Sequence, residues 1–266
     1  MMGAAMQARH IETANGRCRV RVYQGGAGPD LLYLHGAGGL FPEDPFLAAL
    51  AEQYRVHAPL LPGYEDSEGA EHLRSMLDVT LHGFDVMEAL GLERPLLAGH
   101  SMGGMIAAEM AAVAPMAVDR LVLLCPAGLW YDRAPMPDIF AKLPFELPGL
   151  LFHDAAMGSA MLTAGLDLDD PAFLSEFMIG NARRLGMAGK LLFPIPDRGL
   201  KDRLYRIRAR TALVWGAEDR LIPQDPYAAG FAKGIRGATL TAIPQAGHMV
   251  QYERPEETLA AIAAVA

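Results

Sequence analysis

Cysteine, excess positive charge and long apolar runs are all scarce in this sequence. Only two of its 266 residues are cysteine, Cys18 and Cys125, and their wide separation favours buried thiols over a disulfide. Acidic residues outnumber basic ones by 31 to 23, which disfavours nucleic acid and anionic membranes as partners. No uninterrupted apolar stretch approaches the roughly 18 residues that cross a bilayer.

Several familiar motifs are also missing. The first ten residues lack the basic region and apolar core of a signal peptide, so we expect a cytoplasmic protein. No set of His, Cys and Asp residues has metal-ligand spacing. Gly36 and Gly38 do not begin a dinucleotide fingerprint, because the position that needs a third glycine is Phe41. We therefore expect neither a metal nor an organic cofactor.

The residues that are present predict an α/β fold. Hydrophobic residues make up 52% of the chain, enough for a sizeable core. After a predicted hairpin at 10–23, short apolar runs alternate with helical patterns, which is typical of a parallel sheet covered on both faces. One such pattern, 71–90, has apolar residues at steps of three and four, Leu77 and Leu81 among them, and predicts an amphipathic helix.

This alternation of strands and helices stops at Trp130 and resumes only after residue 209. The stretch 130–209 contains seven prolines and six of the ten phenylalanines, and a structureless loop of that length is improbable. We predict a helical cap at 130–209, inserted into a core formed by 1–129 and 210–266. Its phenylalanines and methionines suit an adaptable apolar pocket, or alternatively a small core of the cap itself.

A serine lies at the predicted junction of a buried strand and a helix. The strand is Leu96–Ala98, the helix is 105–112, and between them runs the pattern Gly99-x-Ser101-x-Gly103. Strand and helix can approach closely at such a reversal only where the neighbours of the serine are glycine. The helix N-terminus also directs free N–H groups towards an anion formed beside the serine. Ser101 is therefore a candidate nucleophile.

An acid and a histidine follow later strands in the same way. Asp219 comes just after the predicted strand 211–216, and His248 follows the last predicted strand. Open α/β sheets place ligands at the carboxyl ends of their strands, so one site can collect all three side chains. A histidine base activates a serine hydroxyl, and a carboxylate fixes the tautomer of the imidazole. Glu218 and Asp225 remain alternatives for the acid.

With these motifs in this order, the sequence resembles the α/β-hydrolase superfamily. The resemblance covers about 10–126 and 211 to the end. It is carried by four segments: His35-Gly36-Ala37-Gly38-Gly39, Gly99-His100-Ser101-Met102-Gly103-Gly104, the stretch from Trp215 to Pro223, and Gly247-His248 followed by Glu253-Arg254-Pro255. It implies a mostly parallel eight-stranded sheet flanked by helices, with a cap inserted after the sixth strand.

The same resemblance assigns roles to residues. Ser101 would be the nucleophile, His248 the general base and then acid, and Asp219 the residue that orients the imidazole. The oxyanion would be bound by the Met102 N–H and by a second N–H from the loop after the first parallel strand. Ala37 is the closest match for that second donor and Gly38 the next, and Gly36 and Gly38 would border the substrate.

Three functions remain open from the sequence. The first is hydrolysis of a small apolar carboxylic ester or lactone. The second is hydrolysis of a carbon–carbon bond in ring-cleavage diketo acids, but many such enzymes have Trp where Met249 stands and Asn where His100 stands. They also bind the substrate carboxylate with a cap arginine, for which Arg183 and Arg184 are candidates. The third is a ligand sensor with a retained triad. The sequence leaves the oligomeric state open.

Overall fold

The computed structural model describes residues 6–41, 43–163 and 170–265. These residues form one eight-stranded sheet. Its strands are β1 (Gln7–Thr13), β2 (Cys18–Gly25), β3 (Asp30–Leu34), β4 (Arg55–Pro59), β5 (Leu96–His100), β6 (Arg120–Leu124), β7 (Arg210–Gly216) and β8 (Thr239–Ile243). Their order across the sheet is β1-β2-β4-β3-β5-β6-β7-β8.

Only the opening of the sheet is antiparallel. β1 pairs with β2 as a hairpin, β2 pairs antiparallel with β4, and every pair from β4 through β8 is parallel. All five residues of β5 are buried, as expected for a strand covered on both faces. The carboxyl ends of β3, β5, β6, β7 and β8 therefore lie along one edge of the sheet. The predicted α/β-hydrolase fold is confirmed.

Helices flank the sheet and fill the connections between strands. They are α1 (Pro45–Leu50), α2 (Met76–Leu90), α3 (Met102–Val113), α4 (Leu147–Leu151), α5 (Ala155–Leu162), α6 (Pro171–Leu192), α7 (Gln224–Gly234), α8 (Val250–Glu253) and α9 (Pro255–Ala263). None of these helices combines the length and the apolar character that crossing a membrane would require.

Helix α2 differs from its prediction in both its start and its buried face. It begins at Met76 rather than at 71, because Ser75 caps its first turn through the Asp78 N–H. Leu77 and Leu81 are exposed rather than buried. The opposite face packs on α3, where a Cβ on Gly83 would lie only 2.5 Å from a methionine sulfur. Close approach to α3 therefore selects the face that is buried.

Between β6 and β7, the described residues form helices and short 3-10 turns and contain no strand. The second half of this insertion joins the core of the sheet, since Met187, Leu191 and Leu200 are buried in it. Its aromatic residues divide between two environments. Phe152 is fully buried, whereas the side chain of Phe145 is 77% exposed. The apolar residues of the insertion therefore do not form one separate core.

Glycine permits the chain crossing that places Ser101. A Cβ on Gly103 would lie 2.0 Å from the Leu34 carbonyl oxygen, and one on Gly99 would lie 2.3 Å from the Gly103 oxygen. Helix α3 therefore touches β3 and β5 through its backbone. Ser101 itself adopts φ 53° and ψ −114°, a strained conformation that surrounding structure must maintain.

We expect Gly103→Ala to destabilise the fold by about 3 kcal/mol or more, because the new methyl group collides with backbone that cannot move aside. Urea unfolding monitored by circular dichroism measures this loss. Gly186→Ala on α6 is the matched control, since a Cβ there meets nothing within 4 Å. Equal unfolding midpoints for the two variants would contradict this account of the crossing.

Candidate active site

Ser101 is fixed by hydrogen bonds of its own backbone. Its N–H donates to the carbonyl of Leu124 at the end of β6 (2.9 Å), and its carbonyl accepts from the Ala127 N–H (3.0 Å). The residue is 6% exposed and stands directly before the first residue of α3. The end of β6 thus holds Ser101 at the carboxyl edge of the sheet.

Asp219 and His248 meet in a buried hydrogen bond. Oδ2 of Asp219 lies 2.8 Å from Nδ1 of His248. Oδ1 accepts from the N–H groups of Leu221 (2.9 Å) and Ile222 (2.8 Å), which fixes the plane of the carboxylate. Because Asp219 accepts at Nδ1, this nitrogen carries the proton and Nε2 is left unprotonated in the neutral ring.

The structure distinguishes among the three acids that the sequence left open. Only Asp219 is hydrogen-bonded to His248. The carboxylate of Glu218 accepts instead from the Ala246 N–H (3.1 Å), and Asp225 lies in the first turn of α7. Within the described residues, no hydrogen bond joins the Ser101 hydroxyl to His248. Contacts between a nucleophile and its base often tighten only when substrate binds.

The side chain of His100 is hydrogen-bonded to the backbone of His248. Its Nε2 donates to the carbonyl of His248 (2.9 Å), and the two ring centroids are 4.8 Å apart. Complete burial, with a further contribution from His248, lowers the pKa of His100 to about 3. His100 therefore stays neutral at neutral pH and acts as a hydrogen-bond donor to the loop that carries His248.

The loop after β3 forms a tight turn beside Ser101. The Gly39 N–H donates to the Gly36 carbonyl (3.1 Å), and the Tyr64 hydroxyl donates to the Ala37 carbonyl (2.9 Å). Gly36 lies against the serine, since a Cβ on it would be 3.4 Å from the Cβ of Ser101. By contrast, Gly38 is exposed and faces open space.

Three N–H groups at the start of α3 and in the turn after β3 have no protein acceptor among the described residues. One belongs to Met102, the first residue of α3, which has no intrahelical partner. The others belong to Ala37 and Gly38 in the turn after β3. His35 stabilises this turn as a neutral ring, because its Nε2 accepts from the Leu61 N–H (3.0 Å) and its Nδ1 donates to the Gly36 carbonyl (2.7 Å). Burial lowers the pKa of His35 to about 4.

The sequence matches the model of the alpha/beta hydrolase family over residues 31–262. The chain belongs to this family.

Relatives of this hydrolase carry out different chemistry. It is 26% identical over 264 residues to a 2-hydroxy-6-oxo-6-phenylhexa-2,4-dienoate hydrolase of Comamonas testosteroni, with 88% of this chain and 86% of the relative covered. It is 31% identical to the dihydrolipoyllysine-residue acetyltransferase component of an acetoin cleaving system of Cupriavidus necator, with 90% and 64% covered. The crystal structure of a membrane phospholipase A superposes with a TM-score of 0.78 at 25% identity, covering 98% and 86%.

Three further residues of this hydrolase touch the site without having been predicted to do so. Cys125, directly after β6, lies with Asp219 and His248 in a group whose ligating atoms are within 4.8 Å of one another. The Tyr64 hydroxyl donates to the Ala37 carbonyl in the turn after β3, and the Glu253 carboxylate accepts from the Gly247 N–H (2.7 Å). Sequence spacing could not indicate the contacts of Cys125 and Tyr64, because they join distant parts of the chain. Glu253 lies in a matched segment, close to Gly247 in sequence.

The group around Cys125 fits a metal ion poorly. A metal binds the thiolate, but burial and the nearby Asp219 carboxylate raise the pKa of this thiol well above its usual range. His248 Nδ1 already donates to Asp219, so it offers no lone pair to a metal. The thiol therefore acts as a buried neighbour of the acid.

We expect neither cysteine to react with a disulfide reagent in the native protein. Cys18 and Cys125 are 1% and 0% exposed, and burial raises the pKa of both thiols, so little thiolate is accessible. The release of thionitrobenzoate from Ellman's reagent measures this, with the guanidinium-unfolded protein as the control that reacts at both sites. Rapid reaction of one thiol before unfolding would show that its surroundings are more open than the structure describes.

Proposed function

We propose that this enzyme hydrolyses a small apolar carboxylic ester or lactone through an acyl-enzyme. Ser101 is the nucleophile, His248 the general base and then acid, and Asp219 the residue that orients the imidazole. The observation that carries the proposal is the buried bond of 2.8 Å between His248 and Asp219, at the same sheet edge as the strained Ser101.

The first step forms the acyl-enzyme. Ser101 Oγ attacks the carbonyl carbon while its proton passes to Nε2 of His248, which is unprotonated because Nδ1 donates to Asp219. The carbonyl oxygen becomes an oxyanion that accepts from the Ala37 and Met102 N–H groups. When the tetrahedral intermediate collapses, the leaving alkoxide takes the proton from Nε2 and departs as the alcohol. Water then attacks the acyl carbon while one of its protons passes to Nε2. The second collapse releases the acid as Nε2 returns that proton to Ser101 Oγ.

Burial strengthens the contribution of Asp219. His248 is 2% exposed and Asp219 is 5% exposed, so their attraction is weakly screened when the imidazolium forms. Both oxygens of Asp219 already have partners, two N–H groups on one side and the imidazole on the other. The carboxylate therefore needs no reorientation as charge develops on His248.

Relatives support the ester reaction and also its main alternative. The phospholipase A among the solved structures is, by name, an ester hydrolase. The Comamonas relative belongs to the carbon–carbon bond hydrolases. For an ester, the triad and oxyanion donors suffice, because the leaving alkoxide takes its proton from His248.

The position of Arg184 in the insertion favours carbon–carbon bond hydrolysis as the second candidate. Arg184 lies over the turn after β3, where its Cδ would be 3.6 Å from a Cβ on Gly39. It also opposes the rise in the pKa of Tyr64 that burial causes. Arg184 forms no ion pair with any described residue, so a substrate carboxylate could bind it. Arg183 instead lines an outer cleft beside Glu65 and Asp66.

We expect Ser101→Ala to lower kcat for p-nitrophenyl butyrate by about 10⁴-fold or more, with an unchanged circular dichroism spectrum. Asp219→Asn is expected to lower kcat by roughly 10³–10⁴-fold with little change in KM, because it leaves the imidazole in the wrong tautomer. Initial rates at saturating ester measure both losses.

Asp225→Asn is the matched control for the acid, and we expect it to retain near-normal kcat. Loss of activity in this variant alone would move the acid away from Asp219. A wild-type protein that turns over no ester or lactone, yet gains thermal stability with a bound ligand, would favour the sensor over the enzyme reaction proposed here.

We expect Arg184→Ala to change kcat/KM for a p-nitrophenyl ester by less than about tenfold, or about 1.4 kcal/mol. The reason is that ester hydrolysis requires no cation beyond the triad and the oxyanion donors. A parallel assay with a vinylogous diketo acid, followed by its loss of absorbance, tests the second candidate.

Arg183→Ala is the control for Arg184, because Arg183 faces the outer cleft. Rapid turnover of the diketo acid that Arg184→Ala abolishes and Arg183→Ala preserves would replace the ester reaction with carbon–carbon bond hydrolysis.

A further inference from the structure

The loops that carry Asp219 and His248 are both hydrogen-bonded to one segment of the helical insertion. This segment, 147–154, comprises α4 and the turn that leads into α5. It lies far from both residues in sequence, yet its backbone is hydrogen-bonded to both of the loops that carry them. We call it the docking segment.

Glu253 joins the docking segment to the loop of His248. Its Oε2 accepts from the N–H of Gly247 (2.7 Å), the residue directly before His248. Its Oε1 accepts from the N–H of Asp154 at the start of α5 (3.0 Å). One carboxylate thus satisfies two backbone donors that belong to separate parts of the chain.

The backbone on both sides of His248 also touches the docking segment directly. The Met249 N–H donates to the Leu151 carbonyl (3.0 Å). On the other side, a Cβ on Gly247 would lie 2.7 Å from the His153 nitrogen and 2.8 Å from the Leu151 oxygen. Only glycine leaves room for this contact, so the insertion limits where His248 can lie.

The loop of Asp219 is held in a corresponding way. Nη1 of Arg220, the next residue, donates to the carbonyl of Gly149 (2.8 Å) and more weakly to that of Phe152 (3.3 Å). Phe152 is fully buried and anchors the segment in the protein. The docking segment therefore fixes the two loops relative to each other.

We propose that Glu253 is a positioning residue for catalysis, which acts by holding the loop of His248 against the docking segment. Part of the helical insertion thereby sets the geometry of the proposed triad. This inference rests on the proposed role of His248 as the base.

The physical reason is the sensitivity of proton transfer to position. A displacement of about 1 Å at a reacting group can cost on the order of 100-fold in rate. Replacing Glu253 by glutamine leaves one acceptor oxygen and turns an NH2 group towards the other N–H. Either the Gly247 or the Asp154 donor then loses its partner, which favours a shift of the loop.

The test compares Glu253→Gln with Glu257→Gln, an exposed glutamate on the neighbouring helix α9. The substrate is p-nitrophenyl acetate, chosen for its small acyl group. We expect Glu253→Gln to lower kcat by about tenfold or more with KM within twofold of wild type. Glu257→Gln should match wild type.

A second measurement does not depend on turnover. The proton shared by His248 Nδ1 and Asp219 should give a low-field proton NMR signal in the wild type, identified by its absence in His248→Ala. We expect Glu253→Gln to shift or broaden this signal, because the imidazole is no longer held in one position. Arg220→Gln should do the same from the side of the acid.

The outcomes separate this inference from the proposed function. A wild type without ester hydrolysis contradicts the proposed function, whereas a changed NMR signal in Glu253→Gln still supports positioning. If Glu253→Gln only lowers the melting temperature, with kcat and the NMR signal as in the wild type, the residue is merely structural and the inference is wrong.

Discussion

The arrangement of the site depends on a contact between backbones at the start of α3. Gly103 lies so close to the Leu34 carbonyl that no side chain fits between them. This contact allows α3 to begin directly above β3 and β5. It therefore brings the Ser101 hydroxyl, the Met102 N–H and the turn after β3 together at one edge of the sheet. A looser crossing would separate the proposed nucleophile from the proposed oxyanion donors.

Around this crossing, buried imidazoles serve as neutral hydrogen-bonding groups. Burial lowers the pKa of His35 and His82 to about 4 and that of His100 to about 3. In the unfolded chain these rings would bind protons near pH 6.5. Their contribution to stability is therefore complete above that pH and falls as the pH drops towards 4 and then 3. At neutral pH His35 and His100 orient loops without placing positive charge beside Ser101.

The helical insertion contacts the rest of the protein in two ways. Its docking segment is hydrogen-bonded to the loops of Asp219 and His248, and the end of α6 packs into the core of the sheet. Arg184, between these two anchors, is free of ion pairs with the described residues. The proposed ester reaction and the second candidate therefore differ in whether they need the side chain of Arg184.

The sequence by itself determined the fold class and the order of its functional motifs. Glycine spacing, apolar runs and strand alternation are local patterns, and they were enough to predict the parallel sheet and to nominate Ser101, Asp219 and His248. Leu77 and Leu81, two of the apolar residues that predicted α2, are exposed, and the contact of Asp219 rather than Glu218 or Asp225 with His248 was left open. Only the tertiary structure decided these points, along with the separate environments of Arg183 and Arg184 and the contacts of Glu253. Each depends on packing between residues far apart in the chain, which local periodicity does not encode.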